Sequence, residues 1–366
     1  MMTMRKPLYG RKLDDFEVGA TYVHPWEVTV DGGTLALFQA SFLDATPTYA
    51  SDVFAKQLGL NGRPVHPLLL LNLGLSFSVH DVSEQAIAHL AYIDVRFPNA
   101  CEVGDTITAA STVLGKKLSS KGDKGVVHVL TVVSNQAGAP VCTFERKALV
   151  RAGAVLGRPV DRPTNAAAPD LGDIPRLPEA MRSGLAERPV RRGGFAGFYE
   201  DFAEGDVLCH QVGKTVGESE HMQLTLLMRN SHPIHFDEVY CAEGKSFTGT
   251  RVVYGGLVFG FVASLASRDT AGNVLWDLGY DEGAHPAGVV AGDTLFAASK
   301  VLSMKDVDEL TGEVTFRLVG VKNERPEALL EGGADLFTAE LGKDRDARVK
   351  AKVFEITRTV RMLKRP

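Results

Sequence analysis

A short turn in the second half of the chain carries the residues best suited to chemistry. Within residues 229–237 the turn holds Asn230, His232, Pro233 and His235. Pro233 fixes its own φ and pushes His232 towards an extended backbone, so we expect His235 at the start of the following helix. Histidine exchanges protons near neutral pH because its unperturbed pKa is about 6.5, and asparagine can hold a water through its amide. These residue types predict addition of water to a carbon–carbon double bond, or its removal.

Length, charge and cysteine content limit the class of protein. The chain has 366 residues, more than the roughly 250–300 that one core usually supports, which favours two domains. A formal net charge of -5 argues against nucleic acids or anionic membranes as partners. The four cysteines are scattered without a CxxC pair, which indicates a reducing compartment. With no apolar run approaching about 18 residues and no signal peptide in view, we expect a cytoplasmic protein.

The sequence repeats itself along its length. The segment 15–19 (DFEVG) recurs 186 residues later as 201–205 (DFAEG), and the Gly-Asp-Thr of 104–106 recurs 188 residues later at 292–294. Colinear matches of this kind predict two like-folded halves in one chain, a covalent pseudo-dimer. We assign residues 1–151 to the first domain and 198–366 to the second. Residues 152–197 are rich in proline and arginine, which predicts an extended linker along the surface.

Each half shows the same order of elements. A strand (21–30, 207–216), a helix (33–43, 218–229) and a shorter helix (50–58, 236–243) precede one apolar helix (67–79, 256–267). Four β-patterned runs follow in each half: 88–97, 105–116, 125–136 and 140–151, then 275–284, 293–304, 313–322 and 350–363. One apolar helix beside several antiparallel strands predicts an α+β unit. Residues 323–348 are charged and aperiodic, which predicts a long surface loop.

The turn and the segment after it resemble a known family. Residues 229–235 (RNSHPIH) and 252–255 (VVYG) are similar to the two signatures of the MaoC-like (R)-specific enoyl-CoA hydratases. The resemblance covers about 13–151 and 198–363, and it is closest to the double-hotdog mesaconyl-CoA (2-methylfumaryl-CoA) hydratases, also called β-methylmalyl-CoA dehydratases. It implies two tandem hotdog domains, each an antiparallel sheet wrapped around a central helix. It also implies a hydro-lyase that converts mesaconyl-CoA to β-methylmalyl-CoA reversibly.

The resemblance implies a role for each residue of the turn. His235 falls on the catalytic histidine of the family, and Asn230 replaces its catalytic aspartate. Because asparagine does not titrate, His235 is expected to transfer the proton while Asn230 orients the water. Gly255 falls on the glycine whose N–H polarises the thioester carbonyl. The expected substrate-binding residues are Tyr254, Gly256, His232, Arg251, Arg229 and His285.

The first half lacks part of this set. Tyr49 stands where the second half has His235, and Pro67, which has no N–H, stands in place of Gly255. We therefore predict one working site, in the second half, with the first half supplying part of the acyl-CoA tunnel. Asp44, the counterpart of Asn230, leaves open a hybrid site with His235.

The substrate sets the expected partners and the rival functions. A free carboxylate on the acyl group calls for a cation, and Arg229, Lys245 and Arg251 are the candidates. No metal or redox cofactor is expected, since CoA is part of the substrate. We expect pseudo-dimers to associate into a homo-oligomer. Two rivals stay open, another acyl-CoA activity such as hydration of other enoyl-CoAs or thioester hydrolysis, and a non-catalytic acyl-CoA-binding protein.

Overall fold

The computed structural model describes residues 9–44, 46–155, 174–190 and 197–366. The first half contains β1 (Thr21–Thr29), α1 (Gly32–Phe42), α2 (Pro47–Ala50), α3 (Asp52–Gln57), α4 (Pro67–Phe77), β2 (Ala86–Arg96), β3 (Thr106–Leu118), β4 (Lys124–Ser134) and β5 (Pro140–Arg151). The connection between the halves contains α5 (Glu179–Arg182). The second half contains β6 (Val207–Cys209), β7 (Lys214–Thr215), α6 (Glu218–Leu227), α7 (Glu238–Tyr240), α8 (Gly255–Thr270), β8 (Val274–Ala284), β9 (Thr294–Asp306), β10 (Thr311–Lys322), α9 (Pro326–Glu331) and β11 (Lys352–Leu363).

Both halves contribute to one continuous sheet. Within the described residues, the strands pair antiparallel in the order β1-β3-β4-β5-β2-β8-β11-β10-β9-β6, with β7 also paired to β9. The two halves meet where β2 pairs with β8, through Tyr92 opposite Gly283 and Val95 opposite Tyr280. The sheet of each half covers its own apolar helix, α4 or α8. This is the α+β double hotdog arrangement that the sequence predicts.

The two central helices pack closely at the middle of the molecule. All residues of α4 are buried, which suits a helix that is apolar on every side. A Cβ on Gly256 of α8 would lie 1.7 Å from Oδ1 of Asn72 on α4, and a Cβ on Gly260 would lie 2.6 Å from the ring of Phe42. Glycine is therefore required at both positions for the first half to approach α8. This contact brings the N-terminus of α8 next to residues of the first half.

Two predicted elements differ from the structure. The expected strand 207–216 is interrupted, because Cys209 and Lys214 end and begin separate short strands. The segment 323–348, predicted as a long surface loop, is mostly exposed but also contains regular structure. That segment contains α9, and Leu336 is fully buried in a small apolar cluster with Val321 and Ala351. Isolated apolar anchors of this kind have no periodicity, so the sequence pattern did not reveal them.

The described part of the connection lies along the surface, as expected. Residues 174–190 contact both halves, since Arg176 pairs with Asp94 at 2.9 Å and Arg188 donates a hydrogen bond to the carbonyl of Arg365 at 2.9 Å. Residues 156–173 and 191–196 of the predicted linker lie outside the described residues. Among the helices that are described, none has the length and apolar character needed to cross a membrane.

Candidate active site

The turn begins where α6 ends in a left-handed residue. Arg229 has a φ of 63°, and the N–H of Asn230 donates to the carbonyl of Thr225 at 3.2 Å. This pattern closes a helix and reverses the chain. The duplicate turn repeats it, because Leu43 has a φ of 53° at the corresponding place. As a result Asn230 is buried, at 3% exposure, while Arg229 faces solvent.

Side chains of the turn bind its own backbone. Oδ1 of Asn230 accepts a hydrogen bond from the N–H of His232 at 2.9 Å, and Nδ1 of His232 accepts one from the N–H of Ile234 at 3.2 Å. A single 3-10 turn, Pro233–His235, follows, and the next helix begins at Glu238. His235 therefore lies just before that helix, close to the expected position. The amide NH₂ group of Asn230 is not used in these backbone contacts.

His235 is held in one tautomer. Its Nδ1 lies 2.8 Å from the carbonyl oxygen of Val252, an acceptor only, so Nδ1 carries the proton and Nε2 has a free lone pair. Among the described residues none forms a hydrogen bond with Nε2. Burial, assisted by the neighbouring His232, lowers the pKa of His235 to about 3. The ring is thus neutral at physiological pH and can accept a proton.

The N-terminus of α8 lies beside this imidazole. The rings of His235 and Tyr254 have centroids 5.5 Å apart, and Gly255 is the first residue of the helix. First-turn N–H groups have no acceptor within their own helix, and the helix dipole makes them attractive to negative charge. A Cβ on Gly255 would lie 2.8 Å from Nε2 of His285, so glycine lets that ring pack against the helix start.

These groups line a cavity of about 580 Å³ between the two halves. The second half contributes six of the site residues predicted from the sequence: Asn230, His232, His235, Tyr254, Gly255 and His285. The first half contributes residues of β2 and β5, of α4 and of the segment directly after α4: Ile87, His89, Tyr92, Arg146, Leu75 and Val79. The expectation that the first half forms part of the acyl-CoA tunnel fits this lining.

Burial keeps the cavity's titratable groups neutral. It lowers the pKa of His232 to about 4 and that of His285 to about 4, and it lowers the pKa of His89 well below its usual value. It raises the pKa of Tyr254 to about 12, against the opposing effects of Ser76, Arg146 and Asn230. No cluster of three His, Cys, Asp or Glu side chains within the described ranges is arranged to hold a metal ion.

Arg146 is the exception, a buried guanidinium in the cavity wall. It is 3% exposed, and its Nη2 donates to the hydroxyl of Ser78 at 2.6 Å. Weaker contacts of 3.3 and 3.4 Å reach the hydroxyl of Ser83, and Nε has no partner among the described residues. Burial lowers the pKa of Arg146 to about 10, so the side chain stays charged at neutral pH.

The expected cations lie elsewhere, which corrects the prediction from sequence. Arg229 is exposed at the end of α6. Arg251 pairs with the exposed carboxylates of Glu218 and Glu238, and Lys245 pairs with Glu243 at 2.6 Å on the surface. None of the three lines the cavity.

Two other predicted residues are also outside the cavity lining. Gly256 faces Asn72 in the contact between the central helices, so its position serves packing. Asp44 lies in the duplicate turn, where its carboxylate is 3.5 Å from Nε2 of His66. The structure therefore does not bring Asp44 and His235 into one hybrid site.

Three cavity residues of the first half were not predicted from the sequence: His89, Tyr92 and Arg146. A signal for Arg146 exists in β5, where it occupies the inward phase of the alternation together with Phe144 and Ala148. Arginine is seldom fully buried unless it is paired, so this position marks Arg146 as a residue that needs a partner. The cavity could not be assembled from the turn alone because its opposite wall comes from residues more than 80 positions away.

Comparison with known proteins finds relatives along most of the chain. The sequence profile described as "Mesaconyl-CoA hydratase" matches residues 4–332. A mesaconyl-CoA hydratase of Cereibacter sphaeroides is 34% identical, over 86% of this chain and 90% of that protein. A beta-methylmalyl-CoA dehydratase of Chloroflexus aurantiacus is 31% identical, over 87% of this chain and 89% of that protein.

Solved structures support the fold. A MaoC-domain dehydratase from Chloroflexus aurantiacus superposes with a TM-score of 0.79 at 28% identity, covering 99% of this chain and 100% of that one. RV0216 of Mycobacterium tuberculosis, which has a double hotdog fold, superposes with a TM-score of 0.68 at 21% identity, covering 96% of this chain and 98% of that one.

Proposed function

The chain belongs to the mesaconyl-CoA hydratase family, and we propose that it catalyses the reversible hydration of mesaconyl-CoA to β-methylmalyl-CoA. One observation carries the proposal. The neutral ring of His235, oriented by Val252, presents a free Nε2 to a cavity that also receives the N-terminus of α8. A base and a fixed N–H on one cavity wall are what addition of water to an enoyl thioester requires.

In the hydration direction, water lies between the amide of Asn230 and Nε2 of His235. Nε2 accepts a proton from the water as its oxygen bonds to Cβ of the enoyl group. The electron pair of the double bond moves towards the thioester, so that negative charge develops on the carbonyl oxygen. His235 then returns its proton to Cα as the carbonyl is restored. Dehydration follows the same steps in reverse.

The N–H of Gly255 is the proposed donor to the developing oxyanion. It is the first N–H of a 16-residue helix and has no intrahelical acceptor. Loss of one such donor typically lowers kcat by about 10²–10³-fold. Tyr254, His232 and His285 line the same cavity, and we propose that they shape the space for the acyl group.

The proposed chemistry needs neither a metal nor a redox cofactor. His235 transfers the proton, and the N–H of Gly255 stabilises the negative charge on the thioester oxygen. We also propose a cytoplasmic location, supported by four cysteines that are all free. Association of pseudo-dimers into a larger homo-oligomer stays a prediction.

The test is direct. The protein is incubated separately with mesaconyl-CoA and with crotonyl-CoA, and loss of the enoyl thioester absorbance is followed. We expect faster turnover of mesaconyl-CoA. Turnover of crotonyl-CoA alone would contradict the substrate while keeping a hydratase of the wider MaoC-like family. Binding of both thioesters without turnover of either would support an acyl-CoA-binding protein instead.

A further inference from the structure

We propose that Arg146 of the first half is the receptor for the free carboxylate of the acyl group, and so selects dicarboxylic enoyl-CoA substrates. The inference deepens the proposed function and rests on it for the identity of the substrate. It assigns the recognition of the acyl chain to the half of the molecule that lacks the catalytic histidine.

Arg146 lacks a carboxylate partner among the described residues of the protein. No Asp or Glu of the described residues pairs with Arg146, whose partners are the hydroxyls of Ser78 and Ser83. Its Nε has no hydrogen-bond partner among the same residues, although Arg146 is only 3% exposed. A buried cation without a counter-ion is costly unless a ligand supplies one. Arg146 is one of the residues that line the cavity, so its side chain borders the space where a ligand would bind.

The duplicated half provides an internal comparison. Arg146 lies opposite Tyr92 in the pairing of β5 with β2, and Arg358 lies opposite Tyr280 in the pairing of β11 with β8. The two arginines are therefore equivalent residues of the repeat.

At Arg358 the protein supplies the carboxylate itself. Nε of Arg358 donates to Oδ1 of Asp277 at 2.7 Å, and the hydroxyl of Tyr280 donates to the same oxygen at 2.8 Å. Position 277 corresponds to position 89, 188 residues earlier on β2, where the chain has histidine. The repeat thus retains the arginine in both copies and omits its carboxylate only beside the cavity.

The structure of the proposed substrate supplies the carboxylate that Arg146 lacks. In 2-methylfumaryl-CoA the free carboxylate is attached to Cβ, the carbon that receives the water. A cation that binds this carboxylate must therefore lie inside the reaction cavity and not at its mouth. Arg146 lies opposite Tyr92 in the pairing of β5 with β2, and it lines the same cavity as Tyr254 and Gly255 at the start of α8. A guanidinium can also bind a carboxylate through two parallel hydrogen bonds.

The test uses unreactive thioesters, so that it does not depend on turnover. Succinyl-CoA carries a free carboxylate where butyryl-CoA has a methyl group, and neither has a double bond to hydrate. We expect the wild-type protein to bind succinyl-CoA about 10²-fold more tightly than butyryl-CoA. In Arg146→Met this preference should fall to within about threefold, because the variant keeps the apolar stem and loses the cation.

A second pair of variants keeps Arg146 in place. His89→Asp puts a carboxylate where the duplicate has Asp277, and it should weaken succinyl-CoA binding by about 10²-fold with a much smaller effect on butyryl-CoA. His89→Asn is the matched control, since it removes the same ring without adding charge, and its effect should be smaller. This pair decides the question if Arg146→Met does not fold.

Failure of this inference is distinguishable from failure of the proposed function. Equal affinity of the wild type for the two thioesters, or an unchanged preference in both Arg146→Met and His89→Asp, would overturn the role of Arg146 even if mesaconyl-CoA is hydrated. A carboxylate preference that depends on Arg146 would support it even if mesaconyl-CoA is not turned over.

Discussion

The two copies of the turn have different surroundings: one faces a cavity and the other faces buried side chains that bind one another. In the second half, Asn230 and His235 face a cavity whose far wall carries an arginine without a carboxylate. In the first half, the equivalent region is closed by buried side chains that satisfy one another. The hydroxyl of Tyr49 donates to Oδ2 of Asp277 at 3.2 Å, and Asp277 in turn accepts from Arg358.

The distribution of charge supports our prediction that only one copy binds a substrate. Burial alone would raise the pKa of Asp44, but His66 and the hydrogen bonds from Thr46 lower it well below its usual range. Similarly, burial would lower the pKa of Arg358, while Asp277 raises it. Asp44, Asp277 and Arg358 of the closed copy therefore all have protein partners. Among the described residues that line the open copy are neutral histidines and the cation Arg146, and we propose that the ligand supplies the complementary charge.

The largest expected effect separates the two copies at the catalytic position. His235→Ala should lower kcat by an amount near the upper end of the roughly 10²–10⁴-fold contribution of general acid–base catalysis, because no other titratable group replaces Nε2. Tyr49→Phe changes the equivalent residue of the closed copy and should leave kcat within about twofold. Steady-state kinetics with mesaconyl-CoA measure both, and equal losses would show that the two copies act together.

A stability measurement compares the two arginines. Arg358→Met leaves Asp277 buried without its cation and should lower the free energy of unfolding by about 3–5 kcal/mol. Arg146→Met removes a cation that has no carboxylate partner and should change it by less than about 1 kcal/mol, or raise it. Urea unfolding of the two variants beside the wild type is the measurement. A loss at Arg146 as large as that at Arg358 would mean that Arg146 has a structural counter-charge.

The start of the central helix gives a third contrast. Gly255→Pro copies Pro67 of the closed half and removes the N–H, which should lower kcat by about 10²–10³-fold. Gly255→Ala keeps the N–H but adds a Cβ 2.8 Å from His285, so it reports the steric part alone. Kinetics of the two variants with mesaconyl-CoA separate the contributions. If alanine costs as much as proline, the N–H is not the oxyanion donor.

The smallest expected effect is on the stability of the protein at acid pH. His232 and His285 have a pKa of about 4 when folded and about 6.5 when unfolded, so the unfolded state binds more protons between these values. The stability that they contribute is present above pH 6.5 and is lost as the pH falls towards 4. Each can contribute up to about 1.4 kcal/mol per pH unit within that window.

His285→Phe tests how steeply the free energy of unfolding depends on pH, because it removes one of the two titrating rings. Phenylalanine is chosen because the closed copy has Phe97 at the equivalent position. We expect the free energy of unfolding of the variant to fall less steeply than that of the wild type between pH 6 and 4.5, as measured by urea unfolding. Parallel curves would show that His285 does not titrate differently on unfolding.

The repeat and the turn were readable from sequence because they rely on local pattern. Matching offsets predicted two like halves, and the proline between two histidines predicted that His235 lies at the start of the following helix. The wall formed by His89 and Arg146 was not predicted, because it depends on how β2 meets β8 and on close packing of α4 against Gly256. The cation was sought near the turn, among Arg229, Lys245 and Arg251, whereas the fold provides it from the other half.

Joining the halves in one chain has a consequence for inheritance. In a symmetric homodimer each substitution enters both interfaces at once, so a residue that suits one pocket is imposed on the other. Here β2 and β8 are encoded separately, and β2 has histidine at position 89 while β8 has aspartate at the equivalent position 277. Fusion thus allows one pocket to acquire residues for a ligand while the equivalent region of the other copy stabilises the fold.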